Sequence, residues 1–111
     1  MGGFVKGDIV VVPYPFSDLT QAKRRPALVV APAGGDDLIL CQMTSLPRND
    51  PYAILIDPSD LAAGSLNHPG YVRPTRLFTA DRQVILYRIG SLKAAKLTAV
   101  IDAIVKALRA P

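Results

Sequence analysis

The chain has 111 residues, half of them hydrophobic, which suits one domain with its own core over residues 1–111. Its 13 Lys and Arg outnumber nine acidic residues, all aspartate, giving a net charge of +4 that favours a polyanionic partner without specifying one. A single cysteine (Cys41) excludes an intrachain disulfide, and with a single histidine (His68) no zinc-type His/Cys cluster can be assembled. The first residues carry no secretory apolar region, and no apolar stretch is long enough to span a membrane. A cytoplasmic setting with no membrane partner is therefore the expectation.

The first element is a strand over residues 8–12, whose β-branched run Ile9-Val10-Val11-Val12 suits burial on both faces. Pro13 and Pro15 are expected to end it, because proline cannot donate to a ladder. A polar loop over residues 14–25 follows, and Pro26 opens a second strand over 27–31. The turn Pro32-Ala33-Gly34-Gly35-Asp36 leads to a third strand over 38–43, in which Cys41 reads as a buried residue. After a loop at 46–51, residues 52–56 form a short strand. Asp57 as cap, Pro58 at the first helical position and Gly64 as stop predict one or two helical turns.

Strands are expected over 71–78 and 84–89, with Pro74 placing the first near a sheet edge. From Ser91 the period changes. Leu92, Leu97, Val100, Ile101, Ile104, Val105 and Leu108 recur at three- and four-residue spacing, which predicts an amphipathic helix capped by Ser91. Lys93, Lys96 and Asp102 fall on its solvated face, and Lys106 and Arg109 near its C-terminus suit the helix dipole. Short strands followed by a helix indicate a mainly β protein, a small antiparallel barrel closed by a C-terminal α-helix.

Composition removes several chemistries. A pair of imidazoles cannot work as acid and base, and no phosphate-binding loop or dinucleotide fingerprint occurs. Asn67-His68-Pro69-Gly70 reads as an ordinary turn, with His68 as a surface or loop-fixing residue. Two features remain. Lys23-Arg24-Arg25-Pro26 clusters three cations at the mouth of a strand, which is costly unless an anion arrives or the side chains splay into water. Thr44-Ser45 sets two hydroxyls at the exit of an apolar strand, where they either bind a phosphate or base or start a turn.

The order Gly7-Asp8-Ile9-Val10, a polar loop, then Lys23-Arg24-Arg25-Pro26-Ala27-Leu28-Val29-Val30 resembles the N-terminal half of MazF/PemK toxins. Residues 38–45 resemble the strand that follows there, and Val72-Arg73 and the Leu-rich terminal helix match later family elements. The resemblance covers nearly the whole chain. It implies an SH3-like antiparallel barrel with a C-terminal helix, usually a homodimer. It also implies a toxin that cuts single-stranded RNA at short sequences, with no metal or other cofactor, restrained by a small acidic MazE-like antitoxin.

By position, Arg25 and Thr44 match the family's active-site arginine and threonine. Lys23, Arg24 and Arg73 are then expected to neutralise flanking phosphates, with Ser45 assisting Thr44. Tyr14, with Phe16 and Tyr71, offers stacking faces to unpaired bases, and Ser17 in the same loop is expected to contact RNA. Two departures stand out: Pro13-Tyr14-Pro15-Phe16-Ser17-Asp18 replaces the usual Asp-rich loop, and Pro74 follows Arg73 where many relatives have Thr. Two other readings stay open, a non-enzymatic CcdB-like toxin that binds a protein such as gyrase, and a nucleic-acid-binding barrel without catalysis.

Overall fold

The computed structural model describes residues 3–15 and 22–111. Seven strands form one antiparallel sheet: β1 (Asp8–Pro15), β2 (Ala22–Gly34), β3 (Asp37–Thr44), β4 (Ile54–Ile56), β5 (Leu61–Gly64), β6 (Gly70–Asp81) and β7 (Tyr87–Leu92). Their order across the sheet is β4-β6-β3-β2-β1-β7-β5, and the helix α1 (Ala94–Arg109) follows. The mainly β architecture with a C-terminal helix is the expected one, with the sheet curled into a half-barrel.

Curling lets the sheet bury side chains on both faces. On one face Ile9, Leu28, Cys41, Met43 and Val72 pack with Val100 and Ile104 of α1. On the other, Val10, Val12, Val29, Leu38 and Leu40 lie under Ile85 and Phe4. Successive side chains of a strand point to opposite faces. The β-branched run of β1 therefore feeds both cores in turn, and Ile9, Val10, Val11 and Val12 are all buried. Each such side chain contributes on the order of 1.5–3 kcal/mol of transfer free energy.

Prolines mislead the sequence reading at three places. β1 does not stop at Val12 but runs to Pro15, paired with β2 through Pro13↔Arg24 and Pro15↔Ala22. The carbonyl of Val11 accepts from the Leu86 N–H, so it faces away from β2. Pro13 and Pro15 share that parity, so their missing N–H groups cost nothing in the β1–β2 ladder. Likewise Pro26 lies inside β2, just before its first pair with β3, Ala27↔Gln42. Lys23, Arg24 and Arg25 consequently belong to a strand, not to the loop expected over residues 14–25.

Pro74 is fully buried in β6, a strand flanked by β3 and β4 instead of an edge. Between the pairs Cys41↔Leu77 and Met43↔Val72, β3 advances two residues and β6 five. The resulting bulge holds Pro74 where no ladder bond is asked of it.

The turn after β4 also differs from expectation. Asp57 caps a 3-10 turn at Pro58–Asp60, but residues 61–64 continue as β5 instead of a second helical turn. Gly64 (φ +78°) is needed because β5 crosses β7 closely there: a Cβ on it would collide with the Ile89 carbonyl and the Gly90 Cα. Residues 82–84 form a 3-10 turn, so β7 begins at Tyr87 and takes in Ser91 and Leu92. Ser91 pairs with Asp8 and Ala63 and is not the helix cap.

The helix starts after Lys93, whose N–H donates to the Asp60 carbonyl at 2.8 Å, while Lys96 pairs with the Asp60 carboxylate at 3.6 Å. Of its apolar stripe, Val100 and Ile104 are buried, Leu97 and Ile101 are packed at the core's edge, and Val105 and Leu108 are exposed. No helix among the described residues is long and apolar enough to cross a membrane.

Candidate active site

The register that builds the sheet also builds a site at one end of it. Continuing the β2–β3 pairs Leu28↔Cys41 and Ala27↔Gln42 by two residues points Arg25 at Thr44. The two side chains do line one cleft, of about 210 Å³. β2 supplies Arg24, Arg25 and Pro26; β3 supplies Met43, Thr44 and Ser45; and the segment entering β6 supplies Leu66, His68, Pro69 and Gly70. Among the described residues no carboxylate lines the cleft, and those that do line it present cations and hydroxyls.

Arg25 is half-buried with its Nε shielded from solvent, whereas Arg24 is exposed at the rim. The Thr44 hydroxyl accepts from the Leu46 N–H at 3.2 Å, which fixes its rotamer. Its own proton has only a long contact, 3.4 Å, with the Leu46 carbonyl. That is too long for a good O–H···O bond, so the proton remains available to a ligand oxygen. The hydroxyl therefore both starts a turn and faces the cleft. Ser45 is exposed beside it.

Other predicted residues fall elsewhere. Lys23 is exposed on β2, opposite Tyr14, and is not among the lining residues. Phe16, Ser17 and the Tyr14 side chain lie outside the described residues. Tyr71 is half-buried on β6, paired with Thr44 and Leu55, and does not line the cleft.

Arg73 is not brought to the cleft. Its Nε donates to the Asp50 carboxylate at 2.8 Å, where the Asp50 side chain is only 5% exposed. Burial raises the Asp50 pKa, but hydrogen bonds from Arg73 and the Tyr52 N–H and the nearby Arg73 and Arg76 charges outweigh it, holding the carboxyl below its usual range. The Arg73 carbonyl in turn accepts from the Cys41 thiol at 2.9 Å. Burial is the main reason that the Cys41 pKa is pushed up to about 12, which keeps it a neutral thiol in the core, as its apolar strand indicated.

His68 is the residue that sequence reasoning set aside. It follows Leu66, which packs against the main core, and precedes Gly70, where the chain approaches β3 so closely that an added Cβ would stand 3.3 Å from Met43 Cε. Nothing in the local sequence distinguishes this turn, because its partner Thr44 is more than twenty residues away along the chain.

Larger hollows lie elsewhere. One of about 510 Å³ runs along the C-terminal part of α1, one of about 500 Å³ lies between Tyr52 and Lys106, and one of about 360 Å³ lies between Phe4, Leu38 and Arg82. Among the described residues, none of the three sets an arginine beside a serine or threonine hydroxyl. Among the described residues, no three His, Cys, Asp or Glu side chains gather as a metal site would require.

The chain is thus a curled antiparallel sheet with a C-terminal helix and an arginine–hydroxyl cleft at one end. A family model for the PemK-like, MazF-like toxin of type II toxin–antitoxin systems matches residues 5–108, and the chain belongs to that family. No curated protein sequence matches it significantly. Among solved structures, a mycobacterial endoribonuclease in complex with its cognate antitoxin is similar at TM-score 0.76 and 18% identity, with 98% of each chain covered. MazF in a MazE–MazF structure from Deinococcus radiodurans gives 0.75 at 22%, with 97% of each chain covered. The Mycobacterium tuberculosis toxin MazF-mt6 gives 0.69 at 20%, covering 94% of this chain and 98% of that one. At these identities the likeness establishes the fold.

Proposed function

We propose that the protein is the toxin of a type II toxin–antitoxin system that cuts single-stranded RNA, such as mRNA, at a short sequence without a metal ion. It acts in the cytoplasm as a homodimer and is restrained by a small acidic antitoxin. The observation that carries this reading is the convergence of Arg25 and Thr44, from neighbouring strands, on one cleft that no carboxylate of the described residues lines. Family membership and the solved endoribonuclease of the same fold support it.

RNA brings its own nucleophile. The 2′-hydroxyl stands beside the scissile phosphate, so attack is intramolecular and no metal-bound hydroxide is required. The products are a 2′,3′-cyclic phosphate and a 5′-hydroxyl end. The protein's task is to hold the backbone in line and to stabilise charge gathering on phosphorus. Arg25 suits the second part, because a guanidinium grips two phosphate oxygens with parallel N–H donors. Thr44 donates its weakly held hydroxyl proton to the phosphate, with Ser45 at its side. Arg24 at the rim of the cleft and Lys23 beyond it neutralise flanking phosphates.

The test is cleavage of a chimeric library, one RNA nucleotide per DNA strand, by purified protein in EDTA, beside Arg25→Ala. Cleavage only after the RNA position, lost in the variant, is expected. Intact substrates, including long natural RNAs, would point instead to a toxin that binds a protein target.

A further inference from the structure

The cleft holds one group whose chemistry the roles above leave unused. Cleavage requires that something take the proton of the 2′-hydroxyl, and the lining residues differ sharply in their ability to do so. A guanidinium, as on Arg24 and Arg25, offers hydrogen-bond donors and no acceptor for a proton. The hydroxyls of Thr44 and Ser45 are feeble bases, and Pro26, Met43, Leu66, Pro69 and Gly70 offer no side-chain base. Histidine is the side-chain type that changes charge between about pH 5 and 8 and serves most often as general base. His68 is the only histidine in the chain, and it lines this cleft.

Its position is built by the fold. Leu66 is anchored on the main core two residues earlier. Two residues later Gly70 stands against Met43 and the Thr44 carbonyl, and Tyr71 pairs with Thr44 in the sheet. His68 is therefore suspended between two fixed points on the Thr44 side of the cleft, with Arg24 and Arg25 opposite on β2. Among the described residues those arginines are the charged groups lining the cleft with it; β3 and the residue after it contribute Met43, Thr44 and Ser45, none charged, and the segment of His68 contributes no other titratable lining residue. The imidazole is exposed, so a proton it accepts can pass to water.

We propose that His68 is the general base of RNA cleavage, an assignment that rests on the ribonuclease reading above. An imidazole nitrogen takes the 2′-hydroxyl proton, the 2′-oxygen forms a bond to phosphorus, and the bond from phosphorus to the 5′-oxygen breaks. The 5′-oxygen leaves with its electron pair and takes a proton from water, and His68 returns its own proton to solvent. Arg25 stabilises the charge between these events.

Single-turnover cleavage by wild type, His68→Gln and Arg25→Ala across pH 5–9 tests this, using an all-oxygen RNA and one with sulfur as the 5′ leaving atom. A general base is worth roughly 10²–10⁴-fold in rate, so His68→Gln should lose at least about 10²-fold in kcat with KM little changed. The fall in wild-type rate at acid pH should vanish with it. The loss should persist on the sulfur substrate, whose leaving group needs no proton, and free imidazole should restore part of the rate to His68→Ala. Unchanged kcat, a defect in KM alone, or full recovery on the sulfur substrate would each overturn the assignment. Cleavage by wild type with no effect at His68 sinks this role alone, whereas failure of the wild type to cleave any RNA sinks the ribonuclease reading as well.

Discussion

Two arginines that the resemblance assigns to RNA contact stand in opposite surroundings. Arg73 is bound to an almost fully buried Asp50, and its backbone carbonyl holds the Cys41 thiol; it ties the 46–51 loop to the bulge of β6. Arg25 stands across the sheet in a cleft that no carboxylate of the described residues lines. What separates them is the company each keeps. A guanidinium tied to a buried carboxylate holds a loop in place, while one lining a cleft beside hydroxyls suits a phosphate.

Exchanging the two by mutation gives the widest expected contrast. Arg25→Ala should cut RNA cleavage by about 10²–10³-fold, the scale of losing one well-placed donor, with an unchanged thermal melt. Arg73→Ala should do the reverse, lowering the melt while the folded fraction keeps its kcat. Equal losses of activity would place Arg73 in the RNA path after all.

The pair itself can be broken from the acidic side. Asp50→Ala strands a half-buried guanidinium and should cost about 1–3 kcal/mol in urea unfolding, a range held down by solvent screening at a surface loop. Because the Asp50 pKa is lowered in the folded protein, its contribution is fully present above the ordinary carboxylate range and is lost as pH falls through the folded value. Wild type should therefore lose stability below about pH 4 more steeply than Asp50→Asn. Parallel curves would mean that the ion pair does not stabilise the fold.

Smaller effects sharpen the contrast. Arg24→Ala removes a rim cation and should weaken RNA binding by about 1 kcal/mol, with a salt dependence shallower by roughly one phosphate. On the Arg73 side, Cys41 should resist alkylation in the native protein at pH 8 and react on unfolding. With its pKa raised to about 12, the neutral thiol's contribution is present below the ordinary thiol value and fades as pH rises toward 12. Rapid native labelling would show that the β3–β6 bulge opens.

The sequence announced what depends on local pattern. The buried run of β1, the Asp57-Pro58 cap and the body of the helix were legible because each is set by neighbours a few residues apart. Family resemblance singled out Arg25 and Thr44, which the strands bring to one cleft. Proline was over-read as a strand boundary: at 13, 15 and 26 the direction of the missing N–H decides, and direction follows from pairing, which no local pattern shows. The cap of α1 was misplaced for the same reason, since Ser91 is claimed by β1 and β5. His68 was hidden because its neighbours in space lie on β2 and β3.

The strand pairing behind the cleft has an evolutionary consequence. Adjacent strands lie about 4.8 Å apart wherever a sheet forms, so the Arg25–Thr44 spacing is a property of the lattice, not of any loop. Connections outside the ladder can change composition without disturbing it. A single insertion within β3 before Thr44 would instead turn that side chain to the other face. Loops around such a cleft are thus free to diversify, while Arg25 and Thr44 are held in register by the ladder.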